Sequence, residues 1–100
     1  MNYPYDTNTR RQNIETKCPD DELFKEISLA YSSLNAPMYN SGQFLNGITN
    51  GAAWYTDNGG MQDWNYVRTY SDFEVTIELG TKWPPASALT TYWNVSYFFS

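Results

Sequence analysis

Glu74 and Glu78 are the first residues of this sequence whose type and placement could do chemistry. They alternate with Phe73, Val75, Ile77 and Leu79, so polar and apolar side chains fall on opposite faces with the period of two of a half-buried β-strand. Glutamates are seldom set into a sheet without a partner or a task. Glu78 stands at the carboxyl end of the run, where open α/β sheets gather their ligands. The plainer reading is that both carboxylates sit on a wet face. A carboxylate at a sheet end can carry protons, but two absences limit its company. The 100 residues contain no histidine and one cysteine, Cys18. A zinc site takes three or four His, Cys or carboxylate ligands, and none can be assembled from this set. Ser-His-Asp and Cys-His nucleophiles are excluded with it. Cys18 is either free or paired outside this chain.

The elements that must position such a carboxylate are few. The β-branched and aromatic content of Phe73–Leu79 supports the strand, and Gly80 with Pro84-Pro85 ends it. Tyr3-Pro4-Tyr5 predicts an extended segment, because proline turns the residue before it away from helix. Thr7 to Lys17 is polar and reads as an exposed loop with solvated Arg10 and Arg11. Cys18-Pro19-Asp20-Asp21-Glu22 marks a helix start, with proline early and carboxylates in the first turn. Leu23, Phe24, Ile27, Ala30, Tyr31 and Leu34 then recur at helical spacing, with Lys25, Glu26, Ser28, Ser32 and Ser33 largely on the other side. This predicts an amphipathic helix of about four turns, stopped by Asn35 and Pro37. Its acidic residues read as capping and solubility groups.

Residues 40–60 are punctuated by glycines and read as an irregular loop carrying Trp54 and Tyr55, with a brief strand near 47–50. Long loops inside compact domains are commonly lids or binding loops, and Gly59-Gly60 gives backbone freedom near Tyr55. Met61–Tyr66 predicts a short helical turn or tight loop, Trp64 and Tyr66 inward and Asp63 capping. Lys82–Pro85 is a rigid turn, and a second helix of weak propensity starts near Ala86. Tyr97, Phe98 and Phe99 read as exposed aromatics.

Composition bounds the function. Nine Tyr, five Phe and four Trp make the chain 18% aromatic, far too rich for a disordered segment. One small domain, or a piece of a larger one, is the most that this length holds. Eleven acidic against six basic residues give a net charge of −5 without a basic run, which argues against nucleic acid or an anionic membrane surface as partner. No apolar run reaches the ~20 residues of a membrane span, and the start is not a signal peptide. Asn94-Val95-Ser96 is a glycosylation sequon, informative only in a secreted protein.

Several blocks then occur in order at family-like spacing: Asn2-Tyr3-Pro4-Tyr5-Asp6, Cys18-Pro19-Asp20-Asp21, Gly47-Ile48-Thr49-Asn50-Gly51-Ala52, Trp54-Tyr55, Gly59-Gly60-Met61-Gln62-Asp63-Trp64-Asn65-Tyr66 and Phe73–Leu79. Together they resemble the C-terminal third of a zinc metallocarboxypeptidase catalytic domain, in the regulatory branch of carboxypeptidases D, E, M and N. The resemblance covers residues 1–94 and implies an α/β fold, part of a mixed eight-stranded sheet with flanking helices. It implies that Glu78 is the general base and acid that activates a zinc-bound water and protonates the leaving amine. Tyr55 matches a mobile tyrosine that closes on substrate. Asp6 matches the acidic floor of the pocket for the terminal side chain, and Gln62 a second polar residue lining it. A buried carboxylate there selects Lys or Arg through a charge-assisted hydrogen bond. The resemblance also implies a cis Pro4–Tyr5 bond, a peptide substrate with a basic C-terminus and a place in the secretory pathway or outside the cell.

The departures matter equally. The family's zinc ligands, a His-x-x-Glu motif and a later His, would all lie upstream of Met1. So would the arginines that grip the substrate carboxylate; Arg10, Arg11 and Arg68 do not match them. Asp72 and Gly80-Thr81 replace a cysteine pair that often brackets the Phe-Glu strand. The family's last helix and a small β-sandwich domain are expected beyond Asn94, so the chain reads as beginning and ending mid-structure. Two functions follow: part of a carboxypeptidase removing C-terminal Lys or Arg, or a non-catalytic truncated or degenerate product without zinc, at most a binding module.

Overall fold

The computed structural model describes residues 1–80 and 82–97, with side chains through residue 94. Tyr97, Phe98 and Phe99, read above as exposed aromatics, lie outside the described side chains. Asn2–Tyr3 forms β1, followed by the largely exposed loop and α1 (Asp21–Ser32). Next come α2 (Ala36–Tyr39), a 3-10 turn at Leu45–Gly47, β2 (Thr49–Asn50) and α3 (Gly51–Trp54). The order ends with α4 (Met61–Thr69) and α5 (Ala88–Tyr97).

β1 is the centre of the small sheet. It pairs with β2 in parallel, Asn2 opposite Thr49 and Tyr3 opposite Asn50. On its other edge Asn2 forms an antiparallel bridge with Thr76, through two 2.8 Å hydrogen bonds. Parallel and antiparallel pairing thus meet on one strand, and with the helices around it the fold is part of an α/β mixed-sheet carboxypeptidase fold. The Pro4–Tyr5 bond is cis, as the resemblance implies.

The expected strand at Phe73–Leu79 is corrected. Only the bridge at Thr76 forms; Phe73, Ile77 and Leu79 are 74%, 43% and 46% exposed, and Val75 alone of the apolar set packs on the core. A strand is completed by hydrogen-bonded neighbours, and this segment meets one at a single position. Its apolar alternation marks a face that is only partly covered among the described residues.

α1 forms where the sequence places it, with Asp21 and Glu22 in the first turn, but of the expected apolar set only Phe24 is fully buried. Asp21, Phe24, Ser28 and Ser32 face inward, whereas Leu23, Leu29 and Leu34 are exposed. Serines are small enough to let α1 close on β1 and the 3-10 turn, and Ser32 Oγ donates to Asn46 O at 2.7 Å. Asp21 is therefore no solubility group: it is buried and pairs with Lys25 at 2.9 Å. Asp20 accepts from Tyr66 Oη at 2.6 Å, so α1 is tied to α4 at its start.

The core is aromatic. Tyr3, Cys18, Phe24 and Tyr66 are buried together, with Tyr5, Ile48 and Val75 around them. Phe24 and Tyr5 meet Tyr66 edge-on, at centroid distances of 5.3 and 5.8 Å. Tyr66 points inward as its position predicts, but Trp64 is exposed. Cys18 is a free thiol. Among the described residues no helix is long and apolar enough to cross a membrane.

Candidate active site

Asp6 follows β1 and the cis bond, and is 7% exposed. Its backbone is fixed first. Asp6 N donates to both oxygens of Asp63, at 3.0 and 2.9 Å, and Thr7 N donates to Asp63 Oδ2 at 3.1 Å. Asp63 was expected to cap α4; instead Gly60 occupies the cap position and Asp63 grips the neighbouring chain from the first helical turn. The side chain of Asp6 is then engaged by Gln62, whose Nε2 lies 3.2 Å from each carboxylate oxygen and 3.3 Å from Asn2 Oδ1. Gln62 Oε1 in turn accepts from Thr76 Oγ1 at 2.8 Å. α4 therefore holds Asp6 twice, by backbone and by carboxylate.

Burial and the nearby Asp63 and Asp57 carboxylates push Asp6 up to about 6, against a partial opposing effect of Asn2. Asp63 is also raised by burial, opposed by the two backbone N–H groups that it accepts. Both are close to acidic neighbours, and no cation neutralises Asp6 within the described residues. Such a carboxylate has much to gain from a positive side chain.

Tyr55 ends α3, which starts beside Asp6. Asn50 caps this helix, accepting from Ala53 N at 3.1 Å. Gly51 passes so near to Asp6 that a Cβ there would overlap Asp6 Oδ1 and come within 2.7 Å of Asn2 Oδ1. Trp54 packs edge-on between Phe44 and Tyr55, with centroids 5.0 and 4.8 Å away. Tyr55 itself is 48% exposed. Tyr55 and Glu78 both line a cavity of about 650 Å³, together with Trp54, Met38 and Tyr92.

The four expected site residues thus fall into two pairs. Asp6 and Gln62 touch; Tyr55 and Glu78 share a cavity wall that Asp6 and Gln62 do not line. Gly51 joins the pairs on one side. On the other, Gln62 holds Thr76, two residues before Glu78. Asn50, Gly51 and Asp63 were not foreseen as site residues, although Asn-Gly before a short helix and Asp in a helix first turn were visible signals.

The family model described as zinc carboxypeptidase matches residues 1–98, and the chain belongs to that family. It is 48% identical to carboxypeptidase D of Mus musculus over 94% of its own length and 8% of the relative's. It is 41% identical to the carboxypeptidase N catalytic chain of Homo sapiens over 92% of its length and 22% of the relative's. Carboxypeptidase Z of Homo sapiens is 38% identical over 94% of this chain and 16% of its own. The chain spans less than a quarter of each.

The zinc in the family name does not fit the residues present here. There is no histidine, Cys18 is a buried thiol that burial raises, and no group of three His, Cys, Asp or Glu able to hold a metal occurs among the described residues. Asp6, Asp57 and Asp63 come nearest, but Asp63 is committed to backbone N–H groups and Asp6 to Gln62.

Proposed function

We propose that these residues form the side-chain-recognition and proton-transfer side of a carboxypeptidase cleft that removes C-terminal Lys or Arg from peptides. The observation that carries this is Asp6: a buried carboxyl with its proton affinity raised, held by Gln62 and Asp63, with no cation of its own. A lysine or arginine side chain would complete it with a charge-assisted bond. Tyr55, exposed at the end of a four-residue helix, would cover the bound residue. Glu78, on the same cavity wall, would accept the proton of the attacking water and return it to the leaving amine, an assistance of roughly 10²–10⁴ in rate. The ligands for the family's zinc would come from outside these residues. The working enzyme would act in the secretory pathway or outside the cell, a reading that the family resemblance supports.

A second reading is a non-catalytic relative that uses the same Asp6 and Gln62 at most to bind basic C-termini. Zinc content and arginine release from a peptide ending in Arg, measured on the full-length gene product, separate the two. Zinc with arginine release supports the enzyme; binding of the peptide without either supports the second reading. Preference for a peptide ending in a neutral residue would refute both.

A further inference from the structure

Asn50 is 3% exposed and uses its whole side-chain amide. Oδ1 accepts from Thr16 N at 3.0 Å and from Ala53 N at 3.1 Å. Nδ2 donates to Pro4 O at 3.2 Å and to Thr16 O at 2.9 Å. One side chain therefore binds three segments: the turn that presents Asp6, the end of the polar loop, and the helix that ends at Tyr55. Helix capping explains only the bond from Ala53 N. Serine, threonine or aspartate would serve a cap equally well, and none of them could donate to two carbonyls.

The surrounding backbone shows what these extra bonds accomplish. Ala52 N donates to Tyr5 O at 2.9 Å and Asp57 N donates to Asp6 O at 2.8 Å. Residues 53–56, Tyr55 among them, are thus an excursion with both feet on two consecutive residues, one of them the acidic floor itself. Gly51, at the first foot, touches the Asp6 carboxylate. Moving the Pro4–Asp6 turn moves both feet together, and Asn50 lies behind that turn, its Nδ2 donating to Pro4 O. The geometry points to Asn50 as a positioning residue that sets the acidic pocket floor and the Tyr55 cover as one unit. It rests on the reading of Asp6 and Tyr55 as substrate-binding groups.

The test uses Asn50→Ser, which keeps a cap acceptor for Ala53 N and loses the bridge, in the full-length gene product. Hydrogen exchange should quicken in residues 4–7 and in residues 52–57 together, by about tenfold, the scale of one net hydrogen bond. KM for an arginine-terminated peptide should rise about tenfold with little change in kcat, because floor and cover both act in binding. A merely structural role would lower the amount of active protein and leave KM in place. Faster exchange in one segment only, unchanged exchange, or an unchanged KM would overturn the inference. If Asn50→Ser does not fold, Asn50→Asp keeps the shape and the acceptor and replaces the donor by a carboxylate oxygen that repels both carbonyls, so the same two segments should loosen and KM should rise. Exchange needs no turnover, so a protein that releases no arginine yet loosens both segments would refute the proposed reaction and leave the role of Asn50 standing.

Discussion

Replacing Asp6 by asparagine should stabilise the protein and, on the proposed function, remove the preference for basic residues. Burial and two neighbouring carboxylates raise Asp6 from 3.8 to about 6. At 1.36 kcal/mol per unit, a rise of roughly two units sets an upper bound of ~3 kcal/mol on the penalty of ionising it in the folded state. Asparagine removes the charge but turns an amide toward Gln62 Nε2, which costs about 1 kcal/mol of hydrogen bonding, leaving a gain of about 1–2 kcal/mol. The pH dependence has a definite sign. Below 3.8 Asp6 is protonated in both states. Between 3.8 and about 6 the unfolded chain releases the proton while the folded chain keeps it, so stability falls as pH rises; above 6 the full penalty applies. Unfolding of wild type and Asp6→Asn in the full-length gene product, followed in urea at about pH 4 and about pH 7.5, should show near-equal stability at the first and a more stable variant at the second. The same variant should lose on the order of 100-fold in kcat/KM for arginine-terminated peptides, the worth of one charge-assisted hydrogen bond. A variant less stable than wild type at about pH 7.5, or a wild-type slope unchanged by the substitution, would refute the account of Asp6 as an unneutralised buried carboxyl.

Gly51→Ala should displace the Asp6 carboxylate, because the new methyl overlaps Oδ1; KM for arginine-terminated peptides should rise at least about tenfold, and an unchanged KM would show that the contact is relieved elsewhere. The 100-residue chain by itself should bind a hydrophobic dye and melt without a sharp transition, since Leu45, Met61, Phe73 and Trp83 are all exposed; a cooperative calorimetric peak would contradict this. Of the three Asn-Gly pairs, Asn58-Gly59 is exposed, whereas Asn50 is buried and fully hydrogen-bonded. Deamidation, in which the Gly nitrogen attacks the Asn side-chain carbonyl carbon and expels ammonia, should therefore begin at Asn58; peptide mass spectrometry finding Asn50 modified first would contradict the hydrogen-bond pattern.

Helix positions were legible in the sequence because their signals are local. Pro19, Asp21 and Glu22 announce α1, and Asn35 with Pro37 marks the break before α2, where Asn35 Oδ1 accepts from Met38 N at 3.2 Å. The buried stripe of α1 was legible only at Phe24. Hydrophobic spacing pointed to Leu23 and Leu34, but the neighbours actually present are β1 and a 3-10 turn, against which Ser28 and Ser32 fit more closely. The strand at Phe73–Leu79 failed for a related reason: alternation records which face an element is built to bury, while strand formation depends on partners along its edges. Asp6, Gln62, Tyr55 and Glu78 were suggested only by motif resemblance. Nothing in their spacing reveals that Asp63 would bind the backbone of a residue 57 positions away.

That long reach also explains how so little regular structure places a site. β1 and β2 contribute two residues each, too few for a ladder to fix geometry, and α3 is a single turn. Precision comes instead from three buried polar side chains, Asn50, Gln62 and Asp63, each bonding segments distant in sequence. A satisfied buried network tolerates few alternative arrangements, because each displaced partner leaves a desolvated group unpaired. Apolar packing around Tyr66 would permit the β1 turn to slide; the amide and carboxylate bonds do not. The penalty carried by Asp6 is tolerable for the same reason, since the groups that hold it would lose their own partners if it turned away. A carboxyl such as Asp6 can thus be kept buried and unneutralised on a scaffold with little regular structure of its own.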